Sequence, residues 1–329
     1  MITSTDQIQA QDIIAHLVAV PFDVTRHSLY QASELYQGYD PSRPDTFATC
    51  FDSRVYQHFM DTGKQPDSMA ESLARILHDN GVHVALNEFL SQHDSLHCVG
   101  IMGGHALLRT DTLYREIAYI SKHLTEQGFL MLSGGGPGAM EATHFGAWMA
   151  GRSDDELDAA LQLLLPYPSF RDDGWLASSF QVMQTYPQPR LSSDNHKFES
   201  LGIPTWLYGH EPSTPFATHI AKFFENSIRE DSILTLAYGG LIYAPGSAGT
   251  MQEIFQEAVQ NHYLSFGFSS PMIFLGTHFW TEEMPAYTLL QDLVQKGKYK
   301  NLLLTLSDDS TEIINVLLEF QKKMKKDSD

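Results

Sequence analysis

Two short apolar runs end in glycine-rich loops that open at once into helical patterns, and that junction restricts the fold more than any other feature. Phe129-Leu130-Met131-Leu132 runs into Ser133-Gly134-Gly135-Gly136-Pro137-Gly138, and Gly240-Leu241-Ile242-Tyr243-Ala244 into Pro245-Gly246-Ser247-Ala248-Gly249-Thr250. An earlier run, Cys98–Met102, ends in the tight turn Gly103-Gly104-His105, and its following helix carries Leu113, Ile117, Ile120 and Leu124 before Gly128. Buried strand, loop and helix in alternation predict an α/β fold, a doubly wound, Rossmann-like parallel sheet. Further strands are expected at 203–208, 271–275 and 301–306, a helix at 216–229, and an amphipathic C-terminal helix from Ile313.

Residues 1–95 read as a mostly helical N-terminal extension, and 96–329 as the sheet domain. Pro41-Ser42-Arg43-Pro44 and Gly63-Lys64-Gln65-Pro66 break the early chain, and Met69, Leu73, Ile76 and Leu77 have helical spacing with Gly81 as the expected stop. In the stretch 152–196, Asp154-Asp155-Glu156 begins a short helix and Pro- and aromatic-rich sequence follows. The 329 residues are 43% hydrophobic, enough for a packed core. Twenty-one Lys plus Arg against 40 Asp plus Glu give a formal charge of −19, which disfavours extended contact with nucleic acid. Cys50 and Cys98 are too few for a disulfide framework or a four-Cys zinc site, and no metal-ligand spacing occurs among the histidines. Without an apolar run long enough to span a bilayer, the chain is expected to be soluble and cytoplasmic, with no membrane partner.

Each loop sits where a helix presents unpaired N–H groups and the positive end of its dipole, and glycine lets a phosphate approach the backbone. Two such loops suggest a nucleotide-sized pocket, although the 134–138 loop alone could be a structural turn. It does not read G-x-G-x-x-G, no acidic residue follows at ribose-binding distance, and the P-loop pattern is absent. Thr250 and Glu253 have two readings: a capping box, or a carboxylate in the first helical turn placed beside a phosphate site for catalysis. His105 could touch a ligand or be a plain turn residue; Glu211 could reach the ligand or be a loop acid.

Ser133–Glu141 and Pro245–Glu253 together resemble the paired signature of the Lonely Guy (LOG) family, G-G-G-x-x-G-x-M followed by P-G-G-x-G-T-x-x-E. The resemblance covers about residues 97–306 and, through Gly103-Gly104-His105 and Gly136–Ala142, is closest to the larger bacterial nucleotide nucleosidases. It departs at Ser247, Gln252 and Val259, and Arg229 lies one residue farther from Pro245 than the family arginine. The resemblance implies hydrolysis of nucleoside 5′-monophosphates to free base and ribose 5-phosphate. The phosphate would lie on Gly246, Ser247, Ala248, Gly249 and Thr250. Gly134, Gly135, Gly136, Gly138 and Met140, with Gly103, Gly104 and His105, would form the rest of the site. Glu253 would stabilise the ribosyl cation and orient water, Arg229 would orient Glu253 or substrate, and no cofactor is required. The alternative is a nucleotide-binding sensor or carrier using the same pocket without turnover. A pyridoxal-phosphate decarboxylase is disfavoured, because neither loop holds a lysine. At least a homodimer is expected, because Met251, Ile254, Phe255, Ala258 and Val259 make the last loop's helix apolar on more than one face.

Overall fold

A computed structural model describes residues 10–188 and 198–328. The last part of the Pro- and aromatic-rich stretch, from Pro189, lies outside them. Seven parallel strands form one sheet in the order β4-β3-β2-β1-β5-β6-β7. They are β1 (Cys98–Met102), β2 (Leu130–Ser133), β3 (Ser200–Gly202), β4 (His219–Ile220), β5 (Gly240–Tyr243), β6 (Pro271–Leu275) and β7 (Leu303–Ser307). Strand order reverses between β1 and β5, which pair directly from Val99↔Gly240 to Met102↔Tyr243. In an open parallel sheet, that reversal leaves a crevice beyond the carboxyl ends of the two strands. The doubly wound α/β expectation is met.

Among the described residues, four α-helices precede the sheet: α1 (Ala10–Ala19), α2 (Ala32–Leu35), α3 (Phe51–Asp61) and α4 (Met69–Leu90). Eight follow: α5 (Thr112–Glu126), α6 (Ala139–Trp148), α7 (Asp154–Leu164), α8 (Trp175–Thr185), α9 (Asn226–Leu236), α10 (Ala248–Tyr263), α11 (Ala286–Gln295) and α12 (Ser310–Ser328). The pleat divides the strands between two cores. Val99, Ile101, Met131, Ile242 and Ile273 join Ile117 and Leu124 of α5, Phe145 of α6 and Leu317 of α12. Met102, Leu132, Leu241, Tyr243 and Phe274 join Ile233 of α9 and Ile254 of α10, together with Phe22, Tyr30, Val55 and Leu86 from the first ninety residues. The N-terminal segment therefore shares a core with one face of the sheet. Among the described residues no helix is long and apolar enough to cross a membrane.

Several local expectations are corrected. Helix α4 does not stop at Gly81 but continues to Leu90. A Cβ on Gly81 would strike the carbonyl of Arg26, so the glycine serves the close approach of two segments. Nor does α4 bury its apolar stripe: Ile76 is 60% exposed, while Glu71, Arg75, His78 and Asp79 are buried. Burial is tolerated because these polar groups satisfy one another. Glu71 accepts from Arg75 at 2.7 Å and lies 2.8 Å from His16 and 3.0 Å from His58.

The strand expected at 203–208 forms earlier, at Ser200–Gly202, since Pro204 cannot donate to a ladder and 206–208 closes into a 3-10 turn. The helix expected at 216–229 begins only at Asn226. Before it, His219 and Ile220 pair with Leu201 and Gly202, and Ile220 exchanges backbone hydrogen bonds with Tyr30.

Candidate functional site

A cleft of about 220 Å³ lies beyond the carboxyl ends of β1 and β5. Its walls include Gly103, Gly104 and His105 after β1, Gly134 after β2, and Ser247, Gly249, Thr250 and Glu253 at the start of α10. Met140 of α6 and Arg229 of α9 complete the predicted residues found there. Gly135, Gly136, Gly138, Gly246 and Ala248 do not line it. Gly138 instead holds the first two turns together: its φ is +70°, and a Cβ there would stand 2.5 Å from the carbonyl oxygen of Gly104. Ala139 N–H donates to that same carbonyl, at 3.2 Å.

The β2 turn is shaped from beneath by Ser133, whose Oγ accepts the N–H of Gly135 at 3.1 Å and lies 2.8 Å from Nε2 of His144. Burial drives the imidazole of His144 down to about 3, so it stays neutral between the serines of β2 and β3. Glu141, one residue past Met140, is fully enclosed. It accepts from Arg109 at 2.5 and 3.1 Å and from the Trp175 indole at 3.3 Å, tying α6 to α8.

Helix α10 begins at Ala248 with Ser247 as its N-cap, and no side chain caps it. This corrects the capping-box reading, because Thr250 and Glu253 both lie inside the helix. Residues 247–249 are exposed and Glu253 is half-buried. The hydroxyl of Thr250 folds back over the Cα of Gly246, where no Cβ could be accommodated. First-turn N–H groups thus open onto the cleft at the positive end of the helix dipole.

Arg229 brings a second positive group. Its guanidinium lies against the Cα of Gly134, occupying the space a side chain there would take, and its Nε donates to the carbonyl of Ile203 at 3.3 Å. Placement of Arg229 begins in α4: Asp79 accepts the N–H groups of Phe224 (3.0 Å) and Glu225 (2.8 Å), just before α9. Asp79 is itself held by Nδ1 of His78 at 2.8 Å, whose Nε2 meets the Tyr30 hydroxyl at 2.7 Å. Asp231 of α9 accepts from Gln256 of α10 at 2.8 Å, joining the two helices beside the cleft.

Glu211, weighed against a loop role, lines the cleft and stands 3.3 Å from Nδ1 of His105. Sequence reading missed Tyr208 and Gln256 as walls. Gln256 was legible as one turn beyond Glu253 on the same helix face. Tyr208 was not, because a strand had been expected where the 3-10 turn lies.

No family model and no curated protein matches this chain. Solved structures do. One is a molybdenum cofactor binding protein from the phototrophic bacterium Rippkaea orientalis, 14% identical, covering 68% of this chain and 95% of that one with a TM-score of 0.42. Two others are structures of the molybdenum cofactor carrier protein of Chlamydomonas reinhardtii. The first is 15% identical, covering 68% of this chain and 96% of that one, with a TM-score of 0.40. The second is 16% identical, with 69% and 98% covered and the same TM-score of 0.40. The expected place in the LOG family is corrected accordingly: these three structures are described as molybdenum cofactor binding or carrier proteins, and none of the three as a nucleotide nucleosidase.

Proposed function

We propose that the protein binds a phosphate-bearing small molecule of nucleoside 5′-monophosphate type in the β1–β5 cleft and holds it as a carrier or sensor. One observation carries this reading: an uncapped helix N-terminus and the Arg229 guanidinium face the same cleft. Both favour an anion, and backbone N–H groups bind phosphate even in a chain of net charge −19. The test is equilibrium binding of a panel of nucleoside monophosphates, with chromatography for free base and ribose 5-phosphate. Binding without release supports the carrier reading, and the absence of binding refutes it.

Release of base would favour a second reading, N-glycosidic hydrolysis, for which Glu253 beside Arg229 in the cleft is the specific support. There Glu253 would stabilise positive charge developing on the ribose and orient water, and Arg229 would hold the phosphate or the carboxylate. Glu253→Gln would then lower turnover by orders of magnitude while leaving binding nearly intact, the mark of an interaction made in the transition state. Neither reading calls for a cofactor.

A homodimer formed through α10 is also proposed, since Val259 is 43% and Tyr263 73% exposed on that helix. A monomer mass by light scattering at micromolar concentration would exclude it. The two thiols, Cys50 and Cys98, are buried and unbridged, in keeping with a reducing, cytoplasmic setting.

A further inference from the structure

The cleft is small for the ligand it is proposed to take. About 220 Å³ falls below the roughly 300–1,000 Å³ usual for drug-sized ligands. A second cavity, of about 410 Å³, has in its wall two neighbours of the cleft's His105 and Glu211. Phe170 of that cavity stands edge-on to the His105 ring, with centroids 6.1 Å apart, and Pro212 of the same wall directly follows Glu211. The two volumes taken together fall within the range usual for such ligands.

Their linings differ in chemistry. The cleft offers N–H groups and a guanidinium beside the carboxylates of Glu211 and Glu253, whereas the second cavity is walled by the rings of Tyr39, Phe47 and Phe170. Three carboxylates, Asp45, Asp172 and Asp173, stand there against one cation, Arg171, whose guanidinium already stacks 4.6 Å from the Phe170 ring centroid. Such walls suit a flat ring that is neutral or amino-bearing, and repel a second anion. Tyr39, Asp45 and Phe47 come from the N-terminal segment, which would make that segment part of the recognition surface.

We propose that this cavity receives the planar, amino-bearing heterocycle of a ligand whose phosphate end lies in the glycine cleft. The assignment rests on the phosphate reading of the cleft, and the experiment separates the two. Calorimetric titration of the wild-type protein with ribose 5-phosphate, AMP and IMP compares the phosphate end alone with an amino ring and its oxo counterpart. If turnover occurs, kcat/KM replaces affinity for the two nucleotides. AMP is expected to bind at least about tenfold more tightly than ribose 5-phosphate, since stacking of one base is typically worth that much. Phe170→Leu should erase most of that gain while leaving ribose 5-phosphate within about twofold of wild type. Asp173 is exposed, so Asp173→Asn should fold normally and narrow the preference for AMP over IMP. If ribose 5-phosphate binds but AMP binds no more tightly, or Phe170→Leu leaves AMP unchanged, the cavity assignment is overturned and the phosphate reading survives. Equal binding of AMP and IMP overturns the amino preference. If none of the three binds, both readings fall.

Discussion

Asp52 carries a connection on which the union of the N-terminal segment with the sheet depends. Its carboxylate, in α3, accepts from Lys222 Nζ at 2.6 and 2.8 Å and from the Trp206 indole N–H at 2.9 Å. The side chains of Lys222 and Asp52 are 1% and 5% exposed. Asp52→Asn preserves shape and removes the charge, leaving a buried ammonium with only neutral acceptors, the amide oxygen and Ser213 Oγ at 3.0 Å, and no counter-charge. Breaking a buried pair from one side costs about 3–5 kcal/mol. The orphaned ammonium dominates that figure, and the indole bond is not simply additive because it shares the same carboxylate. Urea unfolding followed by tryptophan fluorescence and far-UV circular dichroism measures the loss. The control is the double variant Asp52→Leu with Lys222→Met, which removes both charges and should regain all but about 1–2 kcal/mol. A loss below about 1 kcal/mol in Asp52→Asn, or a double variant no more stable than the single one, would refute this account.

Glu257 sets a pH dependence. Burial on the inner face of α10 pushes its carboxyl from 4.5 up to about 7, against the opposing hydrogen bond from Ser270. Between those values the folded chain keeps a proton that the unfolded chain has released, so this contribution to stability is full below about 4.5 and is lost as pH rises through about 7. Urea midpoints from pH 5 to 8 should fall less in Glu257→Gln than in wild type, and equal slopes would show the carboxyl to be accessible. Gly81→Ala should destabilise by about 1–3 kcal/mol despite alanine's better helix propensity, because the added methyl meets the Arg26 carbonyl. A stabilised variant in thermal melts would disprove that close approach. Glu141→Ala should cost about 3–5 kcal/mol by stranding the buried Arg109 guanidinium. Glu156→Ala, which loses only an exposed capping box, should cost about 1 kcal/mol in the same denaturation assay.

What local sequence determined by itself is the part of the fold whose signal repeats over a few residues. The apolar runs of β1, β2, β5 and β6 are buried along their whole length, so each reads as a strand without knowledge of its neighbours. The glycine loops after them mark the crevice, and most of the predicted residues at the ends of β1, β5 and the start of α10 meet there. Tertiary structure alone decided the elements whose stability comes from partners. β3 and β4 are three and two residues long and exist through pairing with β2, with each other and with Tyr30. Helix α4 turns charged residues inward, against its own apolar stripe, because Arg75, His16 and His58 converge on Glu71 only in the folded chain. The start of α10 was set by the backbone at Ser247 and not by the Thr250–Glu253 spacing, leaving its first-turn N–H groups without a capping side chain. Tyr208 and Glu211 reach the cleft on a turn whose course no nearby periodicity encodes, and Tyr39 and Phe47 come to Phe170 from far along the chain. Contacts between distant segments follow from which surfaces can be buried together, and that is a property of the whole chain.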